Sequence, residues 1–572
     1  MLVDKKLKFD ASYKEIFRKG TIALLTTLGA GLLFGQENMM IAFVLVLGAN
    51  TLGLQNLRIK TANKTLRLIT FDLLIVCISF VASLNKWVAL PINLITLFSI
   101  IYLTVSPYNQ MSYKTFMMLF VFCQYTSIPL ERLPNRFLMV IFTVTIIMVS
   151  LYLEQRRMKA LLPPQVGVGF EMLYKQLLEM EAGRWEDGLS QEVSLQMSTL
   201  AYVIYNTSYK SYFTTYVGKV HFHFYLNISY FNFLLEQMYK QMQRGLFSKE
   251  ELSGLRQLFE RIESYFERKI SREVLIEVFN DYLNSYANSG GFQEEVLDVI
   301  YAFRKNFIEL EAMDYKEKNK LYDEWGRSDL SRMQNKIKEQ LNPKSMSFNF
   351  ATRMAIILTT TLFLAELFGF YKFIWAIIPI MSITQPYYED TRRRRTDRVK
   401  SNILASLVIA LLINVVHVRW IALILLVMAF YLIYAYKDYY HMSLFLTIIS
   451  MCVASVSKGM NALVFYRIIY VLLGAVMVEL GSRFMPYKLE DGIYELVQEA
   501  ERLNEILERE SILSLEGKAN YNRIREAIIY SAILCQKLYL KNKQYKNEKI
   551  NYLISTNTEF VIRLGHNILR DK

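Results

Sequence analysis

Twelve apolar runs, six on either side of a long polar middle, constrain this 572-residue chain more than any other feature. The first six lie near 20–35, 39–54, 66–84, 87–106, 114–130 and 136–153. The second six lie near 351–369, 372–386, 402–417, 419–436, 440–457 and 463–485. A helix crossing a hydrocarbon core of ~30 Å needs about 20 predominantly apolar residues, and several runs are slightly shorter. Runs so apolar and so numerous do not suit the core helices of a water-soluble domain. They predict an all-α polytopic membrane protein, with 20–35 and 372–386 as candidate re-entrant segments.

Composition agrees with such a division. Hydrophobic residues make up 53% of the chain and charged residues 21%, which predicts apolar spans beside polar domains. The formal net charge of +14 would suit nucleic acid only if the basic residues formed a patch on a folded domain. They sit instead beside the apolar runs. Taking the N-terminus as cytosolic, the inner segments carry Lys14, Arg18 and Lys19, then Arg58, Lys60, Lys64 and Arg67, then Lys114, then Arg156 and Arg157. The outer segments of that block carry only Lys86, Arg132 and Arg136. The second block repeats the bias: Arg353, Lys437, Arg483 and the run Arg392, Arg393, Arg394, Arg395 and Arg398 lie inside, against Lys372, Arg419 and Lys458 outside. This is the positive-inside pattern, which sets orientation. It makes residues 387–402, YYEDTRRRRTDRVKSN, a cytosolic anchoring loop, in which pairs such as Glu389–Arg393 can favour helix. Nucleic acid is not an expected partner; membrane lipid is.

The two blocks resemble each other. KWVAL (86–90) parallels RWIAL (419–423), YNQMS (108–112) parallels YYHMS (439–443), and Arg136 parallels Arg467, at offsets of 331 to 333. LLTTLGAGLLFG (24–35) parallels ILTTTLFLAELFG (357–369). Six spans is an even number, so the copies would face the same way: two parallel six-helix transmembrane repeats. The expected organisation is a cytosolic segment 1–19, a first repeat 20–159, a cytosolic helical domain 160–350, a second repeat 351–485 and a cytosolic helical tail 486–572. The N-terminus lacks the apolar core and cleavage site of a signal peptide, so both termini are expected in the cytosol.

No phosphate loop, HExxH, GxSxG or strand-borne GxGxxG occurs, so no enzymatic activity is expected. The four cysteines lack metal-ligand spacing. His221 and His223 are two apart, which on a helix points them to different faces, so aromatic packing is expected there. No metal or cofactor is predicted. Ionisable residues inside spans are costly and default to functional candidates. They are Asp72 in the third run, Glu366 near the outer end of the seventh, and the repeat-related Arg136 and Arg467, which can present positive groups to an anion.

The chain resembles the fusaric-acid-resistance-like family, which includes the aromatic acid exporters. The cues are LNPKSMSFNFATRMAI (341–356), QPYYEDTRRRRTDRVKSN (385–402) and RIIYVLLGAVMVELG (467–481), with Arg398, Arg467 and Gly474 in place. Ser401-Asn402 stands where the family pattern has Gly-Thr. The resemblance implies a secondary transporter exporting small organic anions, aromatic carboxylic acids among them, by proton- or potential-driven alternating access. It also implies a bacterial inner or plasma membrane, a homo-oligomer such as a dimer, and an accessory partner protein. A channel-like anion conduit and a membrane scaffold acting through its cytosolic helices are the alternatives.

Overall fold

The computed structural model describes residues 10–49, 61–105, 110–157, 162–207, 216–245, 248–287, 292–310, 342–370, 372–416, 419–455 and 460–569. Arg58, Lys60 and Lys458 lie outside them. Among the described residues all regular structure is helical, and six helices are long and apolar enough to cross a membrane. The chain is an all-α multi-pass membrane protein. Its contacts divide it into two units: residues 1–157 with 337–492, and residues 158–336 with 493–572.

The first unit holds both apolar blocks. Block one comprises α1 (Tyr13–Phe34), α2 (Met39–Ala49), α3 (Thr61–Ser83), α4 (Lys86–Thr104), α5 (Tyr113–Tyr125) and α6 (Leu133–Arg157). Counting on in chain order, block two comprises α13 (Met346–Phe368), α14 (Ile374–Ile383), α15 (Tyr388–Val416), α16 (Arg419–Leu432), α17 (Tyr439–Ser455) and α18 (Met460–Phe484). Each block opens with a long helix, and in block two the next helix, α14, has only 10 residues. At 1.5 Å per residue it reaches about 15 Å, half a hydrocarbon core. Such a half-helix needs protein around it, and α14 is buried along nearly its whole length. The run at 20–35, expected as a candidate re-entrant segment, belongs instead to the 22-residue α1, a full-length candidate span.

Packing follows one scheme in each block. In block one, α3 contacts α4, α5 and α6, while α1 and α2 contact α6 and each other. In block two, α15 contacts α16, α17 and α18, while α13 and α14 contact α18 and each other. The blocks meet where α13 lies on α4 and α1 lies on α16. Aliphatic side chains such as Leu32, Leu74, Ile95, Leu411 and Val476 point away from this core. A continuous apolar exterior of that kind is compatible with lipid and unfavourable in water.

The arginine-rich stretch differs from the expected loop. Residues 388–416 form one uninterrupted 29-residue helix, so the arginines occupy the first turns of α15 rather than a connection before it. The Glu389 carboxylate accepts from the Leu489 amide and so caps the helix that begins at Leu489.

The second unit is a helical bundle of α7 (Pro164–Glu181), α8 (Asp187–Thr207), α9 (Tyr216–Gln243), α10 (Lys249–Phe266), α11 (Arg272–Ser285) and α12 (Phe292–Glu309). It is joined by most of α19 (Leu489–Leu515) and by α20 (Tyr521–Tyr545) and α21 (Glu548–Leu569). Insertion and tail therefore share one core: α20 packs on α8, and α21 on α9. Phe170 stands at the centre of that core, 5.0–6.2 Å from the rings of Phe224, Phe259, Phe266, Phe303 and Phe307. Ring pairs at these distances add about 0.5–1.5 kcal/mol each beyond their burial.

His223 is buried in this bundle, its Nδ1 3.9 Å from Glu309. Burial, reinforced by Lys219, Arg525 and Lys305, pushes its pKa down to about 3. An unfolded histidine takes its proton near pH 6.5, so the stability contribution is intact above that value and falls as the pH drops towards 3. By pH 5 the loss is about 2 kcal/mol. Thermal unfolding of the purified full chain should therefore show a pH 5 penalty that His223→Gln relieves. Parallel curves for the two proteins would disprove the assignment.

Candidate functional site

The buried face of α15 runs through Thr391, Arg398, Ser401, Asn402, Ala405 and Ile409, a 3.6-residue stripe. Opposite it, α17 presents Ser443 and Thr447, one turn apart and both buried. Small side chains on the two faces let the helices approach closely, and their hydroxyls bond across the gap: Ser401 Oγ and Ser443 Oγ are 2.6 Å apart. Thr447 donates to Asn402 Oδ1 at 2.8 Å, and Asn402 Nδ2 donates back to the Arg398 carbonyl at 2.7 Å.

Two arginines close this polar core. Arg398 donates from Nη1 to Ser443 Oγ at 3.0 Å. Arg467, projecting from α18, donates from Nε to Asn402 Oδ1 at 3.0 Å and lies with its guanidinium 5.4 Å from the Trp375 ring of α14. Both are almost completely buried, at 1% and 0% exposure. Arg398 Nε and Nη2 and Arg467 Nη1 are buried without a hydrogen-bond partner. Among the described residues neither guanidinium has a carboxylate within 4 Å, and each is within electrostatic reach of the other. A guanidinium keeps its proton under all ordinary conditions. The site is thus two buried positive charges held by neutral dipoles, with three N–H-bearing nitrogens unspent.

The backbone around it is fixed at close quarters. A Cβ on Gly474 of α18 would stand 2.7 Å from the Ala376 carbonyl oxygen, so only glycine lets α18 and α14 meet there and bring Trp375 over Arg467. Past the end of α14, the buried stretch Thr384–Tyr387 is not helical, and its carbonyls need partners. Arg353 of α13 supplies them, donating from Nη2 to the Gln385 and Pro386 carbonyls at 2.6 and 2.9 Å and from Nη1 to the Met485 carbonyl at 3.1 Å.

The residues singled out from sequence are dispersed. Arg467 and Arg398 come together. Arg136 lies in block one, where Nε donates to Asn38 Oδ1, Nη1 to the Cys123 carbonyl and Nη2 to the Thr126 carbonyl, at 2.7–3.0 Å. It caps the C-terminus of α5 and leaves no guanidinium nitrogen unpaired, unlike Arg467. Asp72 is buried on α3, with Oδ1 unpartnered, and does not reach the arginine pair. Glu366 is exposed near the end of α13, with Lys86 its electrostatic neighbour. In the arginine run, Arg392 and Arg393 face outward. Arg394 covers the Tyr439 ring at 4.8 Å, and Arg395 pairs with Glu479, which also accepts from Arg483 at 2.9 Å. Ser443, Thr447 and Trp375 escaped sequence reasoning. Two hydroxyls four apart in the apolar run at 440–457 were the available signal.

Fold and site together describe a multi-pass helical membrane protein with a buried cationic centre. Residues 358–480, most of the second block, match the family model described as fusaric acid resistance protein-like. Arg398, Asn402, Ser443, Thr447, Arg467 and Trp375 all fall inside the matched segment. No curated protein and no solved structure matches the chain.

Two substitutions separate scaffold from site. Gly474→Ala forces a Cβ into a backbone oxygen and should cost about 1–3 kcal/mol, read as a lowered unfolding temperature in detergent. Arg136→Gln strips hydrogen bonds from two helix-end carbonyls and should lower the amount of folded protein in the membrane. Transport per folded molecule should stay unchanged; a fall in that quantity would return Arg136 to the site.

Proposed function

We propose that the chain is a secondary transporter that exports small organic anions, aromatic carboxylates among them, across a bacterial inner or plasma membrane. The family match and the apolar helices already point to a membrane transport or resistance protein. What carries the finer reading is the pair Arg398 and Arg467: buried, close together and without a carboxylate. A buried charge left uncompensated costs several kcal/mol, and a site of this kind is completed by an anion. Arginine also suits a carboxylate geometrically, because its planar fork can donate two parallel bonds. Trp375 beside Arg467 offers a flat apolar surface for an aromatic ring.

In this reading the blocks are parallel repeats that rock about the site, and the second unit and both termini are cytosolic. The matching succession of helix lengths and the reciprocal contacts of α1 with α16 and α4 with α13 support the repeat. Asp72 is the proposed proton-coupling group, being a buried carboxylate with an unpartnered oxygen.

Reconstitution into liposomes with a panel of aromatic and aliphatic carboxylates tests this. Loss of a charge-assisted hydrogen bond of about 1.5–3 kcal/mol predicts that Arg398→Gln and Arg467→Gln each lower kcat/KM for efflux at least ten-fold. Unchanged efflux at equal reconstituted amounts would sink the site assignment. Asp72→Asn should abolish proton-driven efflux while sparing substrate exchange. Current that follows voltage without proton movement would favour the channel reading.

A further inference from the structure

The second unit carries a basic cleft that the transport reading does not use. It has a volume of about 500 Å³ and is lined by Lys219, Lys518, Asn520, Asn522 and Arg525. Pockets of this size commonly hold small metabolites. Lys219 stands in the first turn of α9, and the other four lie on the turn that precedes α20 and in its first turns. Among the described residues no acidic side chain lines the cleft.

Its construction keeps the charge in place. Glu510, nearly buried, accepts from the Asn520 amide at 2.9 Å and from Arg523 Nη1 at 3.2 Å, so one internal carboxylate ties the turn down and is itself neutralised outside the cleft. Asn520 caps the helix, its Oδ1 accepting from the Arg523 amide at 3.2 Å. The N-terminus of the 25-residue α20 therefore faces the cleft with its partial positive charge. Arg525 provides the independent sign of a ligand. It is 5% exposed, Nη1 donates to Asn522 Oδ1 at 3.3 Å, and Nε is buried with no partner. Lys219 lies within electrostatic reach of Arg525 and of Lys305, with Glu309 the carboxylate near it. Lys518 pairs with Glu516, which is half exposed, at 3.1 Å.

We propose that this cleft binds a small polyanion carrying phosphate or several carboxylates, held by Lys219, Lys518 and Arg525 over the first turn of α20. It is a second anion site, separate in sequence and in fold from the arginine pair of block two, and stands whether or not that pair transports. A ligand with two or more negative charges suits a cleft that three cations line.

The test uses the purified full chain in detergent, titrated with inorganic pyrophosphate in one arm and citrate in the other. Sodium chloride at matched ionic strength is the control, and thermal stability and calorimetric heat are the readouts. Saturable binding in either arm is expected, and the responding arm identifies the chemistry as phosphate or carboxylate. Lys219→Gln combined with Lys518→Gln should weaken it at least ten-fold, as should Arg525→Gln. The lysine pair keeps the test alive if the buried arginine variant fails to fold. Binding no stronger than the chloride effect overturns the proposal, as does binding that the lysine variant leaves intact. Arg467→Gln should leave the titration unchanged; its loss there would place the anion in the membrane block instead.

Discussion

A charge in the interior of a membrane protein must be met by other protein groups or by a ligand, and this constraint organises the first unit. Arg353, Arg398 and Arg467 are among the largest fully buried side chains in the chain, and all three are in block two. None has a carboxylate partner among the described residues. Arg353 is met by three main-chain carbonyls and leaves one nitrogen over; it is a clamp on irregular backbone. Arg398 and Arg467 are met by two hydroxyls and an amide oxygen, with three nitrogens over. The difference lies in how much hydrogen-bonding capacity the fold consumes, and it separates a structural arginine from a binding one.

The same contrast appears between the blocks. Arg136 and Arg467 stand at corresponding places in α6 and α18, yet Arg136 closes the C-terminus of α5 while Arg467 turns to Asn402 and Trp375. In block one, Arg67, at the offset that matches Arg398, is exposed. Block one thus keeps the helical succession without the cationic core. Two blocks with one packing scheme can differ this way because helix packing rests on small and apolar side chains, which tolerate change, while a polar core needs every member.

Much of the architecture was legible in the sequence, because hydropathy is additive along a helix. Most apolar runs lie within a few residues of an observed helix. The run 39–54 is read as a span, and it is helical as far as Ala49, the last residue described before 61. The stretch 387–402 is read as a loop because charge density marks the membrane boundary. The helix passes through that boundary unbroken, and charge does not show which arginine faces inward. Phase does: Arg398 lies four residues before Asn402 and seven before Ala405, on the stripe that packs against α17. The Ser401-Asn402 pair, noted only as a departure from the family pattern, proves central, with Asn402 bonded to both Arg467 and Thr447.

The half-helix α14 is the most tightly tied wall of the site. Its backbone meets α18 where Gly474 admits no side chain, and the chain leaving it is gripped by Arg353. Trp375 is therefore set against Arg467 by backbone contacts rather than by flexible side chains. In the transport reading, a site that must open to each side of the membrane cannot do so by moving this wall alone. The ties that can be exchanged for water are those at the polar end of α15: Arg395 with Glu479, and Glu479 with Tyr388 and Arg483. Ion pairs there are partly exposed, and partly exposed pairs are worth far less than buried ones. Conformational change falls to the joint between α15 and α18, where separation costs least, and the buried hydroxyl network above it keeps the two arginines in register as the joint moves.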